Sequence, residues 1–117
     1  MIKHVFYLST CSTCTRILKE LQPNNNFKLQ DIKNEKIRED QLELMRKLAG
    51  SYEALFSKRS RKYKSLGLKD KNLKEADLKK LILDEYTFLK RPVFIIGEEI
   101  FIGNTQAVVD RIKQKMA

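Results

Sequence analysis

Apolar and polar residues change their spacing several times along this chain, and each change marks an element. Lys3 to Leu8 (KHVFYL) is rich in β-branched and aromatic side chains and predicts a first strand. From Ser12 to Leu21, Ile17, Leu18 and Leu21 recur at helical spacing. The stretch QPNNN stops that helix, because Pro23 and the asparagines after it favour turns. Phe27 to Ile32 (FKLQDI) alternates apolar with polar, the period of a half-buried strand. Strand, helix and strand in close succession form a βαβ unit, whose two strands are parallel.

The middle of the chain switches to helical spacing. Leu42, Met45, Leu48 and Ala49 mark one amphipathic helix, which Gly50 ends, and Ser51 is placed to cap a short helix through Leu55 and Phe56. A basic segment, SKRSRKYKSLG, ends at Gly67. Leu78, Leu81 and Ile82 mark another helix, which must stop before Arg91-Pro92, because the residue before proline is pushed out of the helical region. PVFIIGEEIFIGN then predicts two short strands joined at Gly97-Glu98-Glu99. Asn104 or Thr105 caps a last helix carrying Val108, Ile112 and Met116. The order is βαβ, helices, then ββα, without internal repeats.

The total of 117 residues suits one domain with one core. The longest strongly apolar run, Val93 to Ile96, is far too short to span a membrane. The N-terminal run Val5 to Leu8 lacks the length of a secretory signal, so the expected compartment is the reducing cytoplasm, where a disulfide is catalytic or sensing rather than structural. Twenty-four Lys and Arg against fifteen Asp and Glu give a net charge of +9, which concentrates anions near the surface without selecting one. The run Lys58 to Lys64 holds five basic residues around Ser60 and Tyr63. No nucleic-acid motif accompanies it, so it is read as a solvated face with Tyr63 in a packing role, and no direct nucleic-acid contact is expected.

Both cysteines lie in STCSTCTR, three positions apart at the start of the first helix. Three chemistries compete for them. A reactive pair is favoured by position: unpaired N–H groups and the helix dipole stabilise a thiolate on Cys11, and such sites have pKa values of roughly 3.5–7.5. Cys14, one turn on, can then close an internal disulfide. Zinc needs four ligands, whereas the chain offers two cysteines and one histidine, His4, expected at an edge or surface; only a site shared between molecules would serve, and no metal is expected. Two inert core thiols are the third possibility, which the strand–CxxC–helix context disfavours. Arg16, on the same helix, is read as a surface residue.

Taken together, strand–CSTC–helix, SKRS…LG and KRPVFIIGEEIFIGN resemble the arsenate reductase-like (ArsC/Spx/YffB) branch of the thioredoxin-fold proteins, over essentially the whole chain. The resemblance implies an α/β fold: a thioredoxin-like mixed four-stranded sheet (βαβ then ββα) in a single domain, 1–117, with a helical insertion at about 38–89 between strands two and three. It implies a cytosolic thiol–disulfide oxidoreductase, with Cys11 as nucleophile and Cys14, matching the second cysteine of the Spx type, as resolving thiol. Arg91 matches the arginine that binds the oxyanion or stabilises the thiolate, and Arg59 the arginine of a TRS-like stretch, here KRS. Arsenate reductases carry one arginine two positions earlier, where this chain has Ser57, and another after the last strand, where it has Gly103. Pro92 takes the place of a cis-proline facing the active-site cysteines. The implied substrate is arsenate or a related oxyanion, without cofactor, the electrons coming from glutathione, glutaredoxin or thioredoxin to a monomer. The alternative is an Spx-like redox-sensing regulator that docks on the RNA polymerase alpha subunit. The docking glycine of that branch aligns with Ser51, beside Gly50.

Overall fold

In the computed structural model, which describes residues 1–117, the elements run β1 (Lys3–Tyr7), α1 (Ser12–Leu21), β2 (Lys28–Asp31), α2 (Glu39–Ala49), α3 (Arg61–Ser65), α4 (Glu75–Asp84), β3 (Val93–Ile96), β4 (Glu99–Ile102) and α5 (Gln106–Met116). Two compact units are distinguished: Met1–Lys36 with Arg91–Ala117, and Ile37–Lys90.

The first unit holds a four-stranded sheet in the order β2-β1-β3-β4. β1 pairs with β2 in parallel and with β3 antiparallel, and β3 pairs antiparallel with β4. This is a mixed α/β sheet with the βαβ and ββα halves expected. The two interior strands bury consecutive side chains: Val5 and Phe6 of β1, and all four residues of β3. Val5 lies opposite Phe94, and Phe94 opposite Phe101, so one row of side chains crosses the sheet. Ile17 and Leu21 of α1 and Val108, Val109 and Ile112 of α5 pack against that row. Thr105, rather than Asn104, caps α5, its hydroxyl accepting from the Val108 N–H at 3.3 Å. Ile96 pairs with Glu99, so the hairpin turn is the two residues Gly97-Glu98, with Gly97 at φ +64°, a conformation glycine takes without steric cost.

His4 does not lie on an edge. β1 is interior, and the half-buried imidazole stacks on Phe6 with centroids 4.0 Å apart. Its Nε2 meets Gln30 Oε1 at 2.9 Å. Strand order is set by pairing between distant segments, which apolar spacing along one strand does not encode.

In the second unit, Leu42 and Met45 of α2 and Leu78 and Ile82 of α4 are buried. The short helix expected after Ser51 is a single 3-10 turn, Glu53–Leu55, whose N-cap is Tyr52 rather than Ser51; Ser51, just ahead of it, accepts from Ala54 N–H through its Oγ at 3.1 Å. The Glu75 carboxylate accepts from Tyr52 N–H (2.7 Å) and Glu53 N–H (3.1 Å), and Tyr52 Oη donates to Glu43 at 2.7 Å. Within the basic run, Ser60 caps the short helix α3 by accepting from Lys62 N–H. Phe56 stacks on Phe88 at 5.1 Å and meets Tyr63 edge-on at 6.0 Å, so Tyr63 packs. No helix of the chain is long and apolar enough to cross a membrane.

Candidate active site

Cys11 is the residue before α1, in extended conformation at φ −94° and ψ 111°. Its N–H donates to Leu8 O at 3.0 Å, closing a turn over Leu8–Cys11, and its carbonyl accepts from Thr15 N–H at 3.1 Å, the first bond of the helix. Strand, turn and helix start are therefore consecutive, and Cys11 sits where the first N–H groups of α1 lack helical partners. Cys11 is partly exposed, Cys14 is buried, and both are free thiols.

The two thiols are driven in opposite directions. Partial burial pushes Cys11 upward and is the largest single influence on it. The Cys14 N–H, the Cys14 thiol, the Arg91 guanidinium and the Thr13 N–H together outweigh that, and Cys11 lies below the ordinary thiol value. Cys14 and Thr13 act by hydrogen bonding that favours the thiolate, and Arg91 by its charge. Burial pushes Cys14 up to about 12, and the neighbouring Cys11 charge adds to the rise. The Leu8 backbone and Arg91 oppose it without cancelling it. One sulfur is thus disposed to be a thiolate beside another that remains a thiol.

Arg91 is half-buried at the start of β3 and lies in the same unit as both cysteines. The Arg91-Pro92 peptide bond is cis, and Pro92 is buried. Pro92 O accepts from Gly103 N–H at 3.0 Å. Gly103 stands at φ +98°, a backbone conformation that side-chain-bearing residues rarely adopt, so an arginine there would be strained. Arg59 is exposed in the second unit, its N–H donating to Oγ of the nearly buried Ser57 at 3.3 Å. Arg16 is exposed. No group of three or more His, Cys, Asp or Glu side chains is arranged to hold a metal ion.

One residue beside the site escaped the sequence reading. Asp31 closes β2 opposite Tyr7, and its carboxylate reaches the turn that carries Cys11. The only local signal was Asp31 followed at short range by Lys33 and Asn34, a pattern of side-chain-bonded turns.

The ArsC family profile matches residues 6–112. Among solved structures, an ArsC-related protein from Bacteroides fragilis is 22% identical with a TM-score of 0.79, covering 97% of this chain and 100% of that one. A candidate arsenate reductase from Yersinia pestis is 16% identical with a TM-score of 0.77, covering 96% and 98%. Arsenate reductase from Vibrio cholerae is 18% identical with a TM-score of 0.70, covering 97% and 98%. At such identities the likeness is one of fold, the thioredoxin-like arrangement. No curated protein matches the chain by sequence.

Proposed function

The chain belongs to the ArsC family, and from that premise we propose that it is a thiol–disulfide oxidoreductase with Cys11 as nucleophile and Cys14 as resolving thiol. The opposite displacement of the two thiols within one CxxC carries this reading. A depressed Cys11 supplies thiolate at neutral pH, whereas a buried Cys14 does not compete for substrate.

With an oxyanion such as arsenate, the Cys11 thiolate forms a sulfur–arsenic(V) bond as one arsenic–hydroxyl bond breaks, and the departing hydroxyl takes a proton from solvent and leaves as water. The Cys14 sulfur then attacks the Cys11 sulfur and loses its proton. The sulfur–arsenic bonding pair stays on arsenic as arsenic(III), and the Cys11–Cys14 disulfide closes. Two electrons have passed from sulfur to arsenic, and glutathione, glutaredoxin or thioredoxin returns them. Covalent capture also removes the Cys11 charge that helps keep Cys14 protonated, so the second thiol becomes more acidic when it is needed. Arg91, whose charge acts on both sulfurs, stabilises the thiolate and receives the oxyanion. Arg59 is a further anion contact by resemblance. The reaction needs no metal or organic cofactor, and a reducing cytoplasm is the compartment that sustains it.

Ser57 and Gly103 stand where arsenate reductases carry arginines, and this favours a second reading, a redox-sensing regulator of the Spx type that binds the RNA polymerase alpha subunit. Arsenate-dependent consumption of glutathione or reduced thioredoxin, abolished by Cys11→Ser, supports the enzyme. Absence of turnover together with redox-dependent capture of the purified alpha subunit supports the regulator.

A further inference from the structure

We propose that Asp31 is a positioning residue whose carboxylate fixes the Leu8–Cys11 turn and so aims the Cys11 sulfur at the first N–H groups of α1. Asp31 Oδ1 accepts from Ser9 N–H at 3.2 Å and from Lys33 N–H at 3.3 Å. Oδ2 accepts from Asn34 Nδ2 at 2.9 Å. The main chain locks the same place: Ile32 N–H donates to Tyr7 O at 2.9 Å, and Cys11 N–H to Leu8 O at 3.0 Å. Ser9 is therefore the turn residue held from outside the turn, and Asp31 is the group that holds it. Burial raises the Asp31 carboxyl, but the Ser9 hydroxyl and N–H, the Lys33 N–H and the Lys33 charge outweigh it and keep the carboxyl below its usual range, so it is an ionised, acceptor-only clamp at neutral pH.

The inference rests on the reactive-thiolate reading of Cys11 and makes a prediction of its own. If Asp31 acted through its charge, removing that charge would favour the thiolate and lower the Cys11 titration. If it acts by holding the turn, its loss lets the sulfur move off the helix N–H groups, and the titration rises. Asn keeps an oxygen able to accept from Ser9 and Lys33, so geometry predicts that Asp31→Asn stays close to wild type whereas Asp31→Ala does not.

The experiment is iodoacetamide alkylation of Cys11 in the full chain, followed by peptide mass spectrometry from pH 5 to pH 10 in wild type, Asp31→Ala, Asp31→Asn and Asn34→Ala. The expected result is a higher Cys11 midpoint in Asp31→Ala, each whole pH step of displacement costing tenfold in alkylation rate at low pH. Substantial rescue is expected in Asp31→Asn, and a smaller rise in Asn34→Ala, which keeps the charge but removes one bond to the carboxylate. Unchanged or lowered midpoints in the alanine variants overturn the proposal while leaving the thiolate reading intact. An ordinary wild-type midpoint overturns both. Should Asp31→Ala fail to fold by circular dichroism, Asn34→Ala decides alone: a rise supports the clamp, and no rise overturns it.

Discussion

Raising the pH of the reduced protein from 9 to 11 perturbs Cys14 in a way that the fold makes calculable. Its thiol is fully buried on the inner side of α1 and titrates at about 12, against 9.0 for an ordinary thiol. The folded value lies above the unfolded one, so the stability Cys14 contributes is complete below 9.0 and is lost as pH rises towards 12. At about 1.36 kcal/mol per tenfold the ceiling is about 4 kcal/mol, and the part falling between pH 9 and pH 11 is about 2 kcal/mol. Cys11 is displaced the other way, so its contribution is nearly complete above 9 and adds little over this interval. Cys14→Ala removes this titration and leaves the rest of the chain unchanged. Urea unfolding under a phosphine reductant, at both pH values for both proteins, isolates the difference. The expected outcome is a wild-type stability that falls by about 2 kcal/mol more than that of Cys14→Ala. Parallel losses in the two proteins would refute the reasoning and place Cys14 in contact with water.

Arg91→Gln is expected to raise the Cys11 titration in the alkylation profile, because the guanidinium favours the thiolate. Arg91→Lys is expected to keep most of that charge effect yet lose turnover on the order of 10²-fold, since lysine lacks the planar fork of donors. Ile17→Ala opens a cavity against the Val5–Phe94 row and should lower the urea-derived stability by roughly 2–5 kcal/mol. Glu75→Ala strips the acceptor from two backbone N–H groups at Tyr52 and Glu53, and a loss of about 0.5–2 kcal/mol in the same assay is expected.

What could be read along the chain was what local patterns decide. The strand before CSTC and the helix after it follow from KHVFYL and from Ile17, Leu18 and Leu21, because burial on one face forces the spacing of apolar residues. The Ser51 hydroxyl likewise lies within one turn of the Ala54 N–H from which it accepts, although the 3-10 turn itself starts from Tyr52. Other features depend on segments far apart. His4 looked peripheral because only the pairing of Lys3–Tyr7 with Val93–Ile96 makes β1 an interior strand. The helix Arg61–Ser65 was hidden because none of its residues is buried, leaving no apolar period to find. The acidity of Cys11 was foreseeable from its position at a helix start. The elevation of Cys14 was not, since it arises from complete burial together with a neighbouring charge. Asp31 is separated from Ser9 by 22 positions, and its hold on the cysteine turn becomes visible only when the parallel pair β1–β2 brings them together.

The pairing of a reactive Cys11 with a resolving Cys14 is tested most directly by trapping. Reduced protein is mixed at neutral pH with oxidised glutathione, and the products are mapped by peptide mass spectrometry in wild type and in Cys14→Ser. The expected products are an internal Cys11–Cys14 disulfide in wild type and a stable glutathione adduct on Cys11 in Cys14→Ser. Unmodified thiols in both proteins, or an adduct first formed on Cys14, would contradict the account.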